Sequence, residues 1–397
     1  MRIRTAHATR PVTEAAIEEA YDRLIGDLGT SPDLMLLAYS DRYDPQILAD
    51  YLKSREAAKA VFGISSCQGV MTEKGIHCVD GYGLGLWGLS DPVGSYGVGM
   101  ALLSEDSRSQ AAQAVLAALD DSGRPGELPA LIWLVTSPGE EEAVINGIQD
   151  IVGTSVPIIG GSAADNKVSG AWSLFADSHV ERQAVVVAVL FPSGTISHWF
   201  NSGYSPTEQK GRITKAEGRV IHEIDGLPAA KVYNEWTGGV LASVLAEGDS
   251  ILAQTSLYPL GRSVGYIGGV PYYLLSHPAS VTASGRLTLF TDMMEGQEVV
   301  LMNGSLNSLI SRAGRVAKQA IVREKLSSEV IAGALGIYCA GCMLTVGDRM
   351  GEVVDSINES LNGAPFLGVF SFGEQGCLIG DRNVHGNLMI SFTLFSQ

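Results

Sequence analysis

The chain has 397 residues, of which 46% are hydrophobic and 18% charged, and it contains 47 glycines. This length exceeds what one hydrophobic core usually supports, and the composition excludes a disordered chain. A formal net charge of −16 without a basic stripe argues against nucleic acid as a partner.

The sequence also bears on location. The longest uninterrupted apolar run, 184–191, is far shorter than the ~20 residues that span a bilayer, so we expect no membrane insertion. The residues after Met1 lack the apolar stretch of a signal peptide, and five cysteines are an odd set that argues against a disulfide framework. We therefore expect a cytoplasmic protein with reduced thiols.

The first predicted unit has a strand at 34–40, a helix that begins at Asp44 and Pro45, and a second strand at 60–66. Asp44 suits an N-cap, and Pro45 suits the first helical position. A second unit repeats this order, with strands at 131–136 and 156–161. Its helix opens with a capping-box pattern at 137–140.

A hairpin is predicted next, from strands at 185–190 and 195–200. Gly, Ser, Pro and charged residues then cluster near 201–212, and we place a domain boundary there, which gives domains 1–205 and 206–397. Further strands are predicted within 258–275 and at 287–290. A third strand, helix and strand unit follows, with its strands at 335–339 and 366–371.

These elements predict a mixed α/β fold of two domains, in which βαβ units combine with antiparallel hairpins. Ligands often bind at the carboxyl ends of parallel strands, and here the second strand of each unit leads into a loop of glycines and short polar residues. Local turn chemistry is the alternative explanation of these loops. We predict one ligand site built from Ser65, Ser66, Cys67, Gly160, Gly161, Ser162, Asp165, Asn166, Ser371, Gly373 and Glu374.

Three segments carry a family resemblance: 158–165 (IIGGSAAD), 213–229 (ITKAEGRVIHEIDGLPA) and 366–374 (FLGVFSFGE). In this order and spacing the chain resembles the FIST family, whose members carry an N-terminal and a C-terminal FIST region in tandem. The resemblance implies an intracellular sensory protein, not an enzyme, that binds a small ligand. The opposed donors and acceptors of the three loops suit a small zwitterionic or polar metabolite, such as an amino-acid-like molecule. The resemblance also implies signalling through a separate protein, such as a histidine kinase or a cyclase.

The resemblance leaves haem as an alternative ligand, because some FIST proteins resemble haem-bearing nitric-oxide sensors. In that case His198 or His385 would be the axial ligand, with His77 as a third candidate. The loop at 63–70 (GISSCQGV) lacks the acidic residue that many relatives carry there, so the ligand need not match theirs. Simple packing also explains each of these histidines, and no other cofactor is indicated.

The cysteines suggest another alternative, a cysteine-dependent enzyme. Cys67 would be its nucleophile, near His77 or Glu374. Cys339 and Cys342 have the spacing of a redox or metal site, but no second pair stands at zinc-like spacing in the sequence. We interpret these two residues as buried structural thiols.

Overall fold

A computed structural model describes residues 1–378, 380 and 382–397, and for Ile267 the backbone alone. Three units of similar topology form most of the molecule, and each supplies most of a six-stranded mixed sheet. In every unit, helical structure joins two adjacent parallel strands, and an antiparallel strand of the same unit pairs beside them. The predicted mixed α/β class is confirmed.

The three units run in chain order. The first contains β1 (Arg2–Ala8), α1 (Thr13–Leu28), β2 (Leu34–Tyr39), α2 (Pro45–Ser54), β3 (Ala60–Ser65), β4 (Val70–Thr72), β5 (Gly75–His77) and β6 (Leu84–Ser90). The second contains β7 (Ser95–Leu102), α3 (Ser107–Asp121), β8 (Leu131–Thr136), α4 (Glu141–Val152), β9 (Ile158–Ser162), β10 (Leu174–Ala176), β11 (His179–Glu181) and β12 (Ala184–Phe191). The third begins with β13 (Ile196–Ser202).

A second domain, residues 205–303, is inserted after β13, and we call it the inserted domain. Its strands form a nine-stranded antiparallel sheet with a core of its own. Its elements are β14 (Ser205–Glu217), β15 (Val220–Ile224), β16 (Leu227–Pro228), α5 (Ala229–Trp236), β17 (Gly248–Ser250), α6 (Leu252–Thr255), β18 (Leu260–Ile267), β19 (Val270–Ser276), β20 (Pro278–Thr282), β21 (Leu287–Leu289) and β22 (Glu298–Asn303). The boundary predicted between 205 and 206 falls at the first residue of β14.

The chain then returns to complete the third unit. This part contains α7 (Leu306–Arg323), β23 (Ile331–Cys339), α8 (Ala340–Val346), α9 (Met350–Leu361), β24 (Phe366–Ser371), β25 (Gly373–Leu378), β26 (Arg382–Gly386) and β27 (Met389–Ser396), with short 3₁₀ helices at Ser328–Val330 and Gly347–Arg349. We call residues 1–204 and 304–397 the three-unit domain. In the described part of the chain, no helix reaches the length and apolar character that a bilayer crossing requires.

Each unit lends a short hairpin to the sheet of a neighbouring unit. Strands β10 and β11 extend the first sheet beside β3, and β25 and β26 extend the second sheet beside β9. Strands β4 and β5 extend the third sheet beside β24. Because these exchanges form a closed ring, the carboxyl ends of β3, β9 and β24 meet although they are far apart in the sequence.

The three sheets enclose a shared apolar core, and helices cover their outer faces. Trp87, Trp133 and Phe395, one from each unit, are almost completely buried in this core. Separate clusters lie under α1 and α2, under α3 and α4, and under α7 and α9. Large aromatic side chains contribute strongly to such cores, which makes the central cluster a main source of stability.

Two local predictions are wrong. Strands β12 and β13 do not form a hairpin, because β7 and β8 occupy both edges of β12, and β13 pairs with β27 in another sheet. The capping box at 137–140 does not form either, since the Ser137 hydroxyl donates to the Ala184 carbonyl. The prediction at Asp44 is confirmed: its carboxylate accepts the N–H groups of Gln46 and Ile47 at the start of α2.

Candidate functional site

The three loops singled out in the sequence meet at the ends of β3, β9 and β24. Three backbone hydrogen bonds join them: Ala164 N to Ser65 O (2.9 Å), Cys67 N to Phe370 O (3.0 Å) and Phe372 N to Ser162 O (3.2 Å). The side chains there are tightly packed, because Ser65, Ser66, Ser162 and Ser371 are fully buried. The meeting point is therefore filled by the protein itself, and room for a ligand lies beside it.

A cavity of about 520 Å³ opens beside this meeting point, between the three-unit domain and the inserted domain. Its walls are mostly apolar and include Trp172 and Phe372 on one side and Phe290 on the other. The rings of Trp172 and Phe372 stand edge to face, with centroids 6.3 Å apart. A cavity of this size and character is typical of small-molecule sites.

Glu374 positions a hydroxyl of the cavity wall. Its carboxyl group is fully buried and accepts hydrogen bonds from Ser371 Oγ (2.8 Å) and from the N–H of Met389 (2.9 Å). Burial raises the pKa of Glu374 well above its usual range. Ser371 lines the cavity, whereas Glu374 holds Ser371 from behind.

Asp165 shapes another wall of the cavity. Its buried carboxylate accepts the N–H groups of Lys167, Ser169 and Ala171, at 2.8 to 3.1 Å. These bonds fold the loop at 165–171, and Trp172 follows it directly. Asp165 therefore binds backbone groups of its own turn, which is the alternative explanation that the sequence analysis gave for these loops.

Other predicted side chains tie the loops to one another. Ser66 Oγ accepts the N–H of Phe370 at 2.8 Å, and Asn166 Oδ1 accepts the N–H of Gln68. Ser162 Oγ donates to a carboxylate of α4 at 2.8 Å. These polar atoms are engaged within the protein, which leaves the adjoining cavity walls to contact a ligand.

The three predicted glycines allow neighbouring chains to approach closely. A Cβ at Gly160 would lie 1.8 Å from Leu134 O, and one at Gly373 would lie 2.4 Å from His385 Cε1. A Cβ at Gly161 would lie 3.0 Å from a side-chain atom of β24. Strand packing alone therefore explains the absence of a side chain at these positions.

An ion pair joins the two domains at one edge of the cavity. Arg219, in the turn between β14 and β15, contacts Glu141 at 2.7 Å and Glu142 at 2.9 Å, and Asp292 lies 3.5 Å away. Burial on its own would raise the pKa of Glu141, but neighbouring positive charges, Arg219 among them, lower it. Glu141 is therefore a buried carboxylate whose charge depends on its partners.

His277 also lines the cavity, and the sequence analysis did not select it. Its Nε2 lies 3.1 Å from Thr255 Oγ1, and its backbone N–H donates to Asn387 Oδ1 at 3.3 Å. Burial lowers the pKa of His277 to about 4, so the imidazole is neutral near pH 7.

The three histidines predicted as haem ligands lie elsewhere. His198, on β13, has its Nδ1 3.4 Å from Arg323, and burial lowers its pKa to about 3. His77 stacks on His7 with ring centroids 3.4 Å apart. His385 Nε2 lies 3.3 Å from the Phe290 carbonyl oxygen. These side chains are apart from one another and outside the lining of the cavity.

One cluster has the atom types of a metal site, since Glu141, Glu142 and His385 bring potential ligand atoms within 4.8 Å of one another. The guanidinium of Arg219 already contacts both carboxylates, at 2.7 and 2.9 Å. A cation in their midst would be repelled by that group. We therefore interpret the cluster as an ion pair between domains.

The cysteines are largely buried. Cys339 lines the cavity, and Cys342 lies 3.6 Å from the Tyr204 hydroxyl. Burial raises the pKa of the Cys339 thiol well above its usual range. Cys67 is 1% exposed, and burial, followed by the negative charge of Asp165, raises its pKa to about 12.

This environment predicts an unreactive Cys67, because the thiolate is the nucleophile and burial suppresses it. With a pKa about 3 units above that of free cysteine, we expect native Cys67 to react with iodoacetamide on the order of 10³-fold more slowly at pH 8. Peptide mass mapping of labelled protein measures this rate. Partly exposed Cys78 is the internal control and should be labelled first. Labelling of Cys67 at the rate of free cysteine would restore the nucleophile hypothesis.

The cavity residues that the sequence analysis missed come from distant parts of the chain. Arg219, His277 and Phe290 belong to the inserted domain, whereas Trp172 and Asn387 follow elements of two different units. No local spacing links them. One clue was available, since Arg219 lies within the 213–229 segment that carried part of the family resemblance.

Comparison with known proteins adds three findings. Residues 33–227 match the family model of the FIST N domain, and residues 229–377 match that of the FIST C domain. An uncharacterized protein of Methanocaldococcus jannaschii is 36% identical over 90 residues, which cover 22% of this chain and 18% of that protein. The match thus spans less than a fifth of that relative.

Two solved structures of cyanuric acid hydrolase, one of them from A. caulinodans, align over 100% of this chain and 99% of theirs. Their identities are 8% and 7%, and their TM-scores are 0.42 and 0.41. Scores this low do not establish a common fold or activity. The family models, by contrast, match most of the sequence, and FIST domains are linked to signal transduction and small-ligand sensing. The chain belongs to the FIST family.

Proposed function

We propose that this chain is a sensor that binds a small, largely apolar molecule between its two domains and signals through a separate protein. The observation that carries this proposal is the cavity of about 520 Å³ whose walls come from both domains. A ligand that contacts both walls stabilises the domain arrangement in which both fit it. Binding is in this way converted into a preferred arrangement that a partner can recognise.

The cavity walls indicate the chemistry of the ligand. Trp172, Phe290 and Phe372 offer aromatic surface, which favours a ring or a branched aliphatic body. Ser371 and Asn387 also line the cavity, but the Asn387 amide is held by His277 and Phe372. The Ser371 hydroxyl donates to Glu374, so its oxygen can still accept a hydrogen bond from one polar end of the ligand. An aromatic amino acid or a related amine combines both features, in line with the amino-acid-like ligand expected from the sequence.

Family membership supports the signalling half of the proposal, with a histidine kinase or a cyclase as the proposed kind of partner. The haem alternative gains no support from the described residues. His198 and His385 lie outside the cavity lining, and His385 has Gln375 and Phe290 as neighbours of its two ring nitrogens. The residues present therefore do not fit a haem in this cavity with either histidine as axial ligand.

Thermal unfolding in the presence of small probes tests the proposal. Phenylalanine, phenethylamine and indole share an aromatic body and differ in their polar end. Because a molecule that binds only the folded state raises the melting temperature, we expect at least one of the three to stabilise the wild-type chain. No shift with any of them at millimolar concentration would contradict the proposed ligand class.

Variants at the cavity mouth locate the binding. Ala253 is exposed on α6 and lines the cavity, so we expect Ala253→Trp to obstruct it and to abolish the shift. Ala246 is also exposed on the inserted domain but lies outside the lining, so Ala246→Trp is the matched control and should respond like the wild type. A full response of Ala253→Trp would place the binding site elsewhere.

A further inference from the structure

A second cleft, of about 320 Å³, lies between α7, the end of β13 and the β18–β19 hairpin. It shares no lining residue with the larger cavity. Its walls include Tyr204, Tyr273, Pro206 and Met302, which are aromatic or apolar, and Arg312 from α7 provides its positive charge. Asn201, Ser202 and Ser205 add polar groups to the lining, so the cleft combines aromatic and polar walls with a single cation.

Arg312 lacks the partners that other partly buried arginines have. Its Nε is buried without a hydrogen-bond partner, and among the described residues no carboxylate lies within 4.0 Å of its guanidinium. Arg219, by comparison, contacts three carboxylates. The Nε of Arg262 is also unpartnered, but its terminal nitrogens donate to the Asp292 carbonyl and to Thr291. Buried cations in folded proteins are normally paired, so Arg312 is an exception that an outside group would resolve.

The surroundings of Arg312 make this exception stronger. Burial lowers the pKa of Arg312 to about 10, and the charge of Arg315, one turn further along α7, adds to this effect, whereas the Tyr272 phenol of the facing hairpin opposes it. The Tyr272 hydroxyl is engaged, because it donates to the Phe200 carbonyl. All four charged residues of α7 are basic, although the whole chain has a net charge of −16. A local excess of positive charge therefore meets this cleft.

We propose that this cleft is a second ligand site, which binds a small organic carboxylate through the Arg312 guanidinium and encloses its apolar body between Tyr204, Tyr273 and Met302. The planar fork of a guanidinium matches the two oxygens of a carboxylate. Such a pair would give the Arg312 guanidinium the carboxylate that it lacks among the described residues. The site is independent of the sensor cavity proposed above and does not rest on it.

Isothermal titration calorimetry of the full chain with benzoate and benzamide tests this proposal. The two probes have the same ring, but only benzoate carries the charge, so we expect benzoate to bind at least about tenfold more tightly. This comparison uses the wild-type protein and does not depend on the folding of a variant. Equal affinities, or no heat from benzoate at millimolar concentration, would overturn the proposal. Binding of inorganic phosphate in place of benzoate would also overturn the carboxylate assignment.

Two substitutions on α7 locate the binding. Arg312→Gln removes the anchor and is expected to weaken benzoate binding by at least about tenfold. Lys318→Gln removes the same charge from an exposed position of the same helix and should change the affinity by less than about twofold. Unchanged binding in Arg312→Gln would overturn the site. Ala253→Trp should bind benzoate like the wild type, which separates this result from the test of the sensor cavity.

Discussion

The substitution Arg219→Gln is expected to lower the free energy of unfolding by about 3–5 kcal/mol at pH 7, because it leaves Glu141 buried without its charged partner. Glu141 is fully buried, and its ion pair with Arg219 measures 2.7 Å. Equilibrium unfolding in urea measures the change. The matched control is Arg108→Gln, since Arg108 and Asp150 form a pair of similar length, 2.6 Å, with side chains 58% and 45% exposed.

We expect the control to change the free energy of unfolding far less, as is usual for exposed pairs. The loss in Arg219→Gln should also depend on pH. The folded-state pKa of Glu141 is lowered, so the stability that it contributes is present above its unfolded pKa of about 4.3 and disappears as the pH falls through the folded pKa. In the variant, His385 is the main group left to oppose the effect of burial on Glu141, so the pKa of Glu141 rises and the gap to the wild type should shrink as the pH falls from 7 to 4. A cost no larger than that of Arg108→Gln would mean that the ion pair does not hold the domains together.

Gly160→Ala is expected to lower the free energy of unfolding by about 3 kcal/mol, because the new methyl group would lie 1.8 Å from the Leu134 carbonyl oxygen. Gly160 and Leu134 are paired residues of β9 and β8, and neither backbone can move without disturbing the sheet. Urea unfolding of the full chain measures the effect.

Gly26→Ala provides the matched control for this substitution. Gly26 lies inside α1 with no atom within 4 Å of the position of a new Cβ. We expect a gain of about 0.5–1 kcal/mol, which is the usual preference of a helix interior for alanine. A Gly160→Ala variant as stable as the wild type would show that β8 and β9 can separate at this point.

The repeated units could be predicted because their signals are local. A buried strand of six residues, an amphipathic helix and a second buried strand follow one another within each segment, as at 34–65 and 131–162. Parallel pairing then follows from the helix between the strands. The meeting of the three loops does not follow from parallel pairing alone, because β3, β9 and β24 lie in three different sheets and are brought together by the hairpins exchanged between units.

The pairing partners of other strands depend on the whole fold. β12 consists of apolar residues and pairs with β7 and β8, both earlier in the chain, so the nearby turn at 191–194 misled the hairpin prediction. Likewise, the polar residues of the loops could be named but their roles could not. Asp165 accepts hydrogen bonds from its own loop, and Glu374 accepts them from Ser371 and from Met389 of β27. The sequence does not show where these partners lie.

The ligand cavity lay beyond sequence reasoning because it forms between domains. His277 and Phe290 reach it only after the inserted domain has folded and packed against α8 and the end of β24. Neither residue has a neighbour in the sequence that marks it as functional. A prediction of this site would need contacts between distant segments, which hydrophobic periodicity does not provide.

The proposed binding of a small molecule between the two domains can be measured directly. The dissociation constant of the most stabilising probe among phenylalanine, phenethylamine and indole can be determined by isothermal titration calorimetry for the wild type, Ala253→Trp and Ala246→Trp. We predict binding at least about tenfold weaker in Ala253→Trp and unchanged in Ala246→Trp, because only the first obstructs the cavity. The same dissociation constant in all three proteins would contradict a ligand site at this interface.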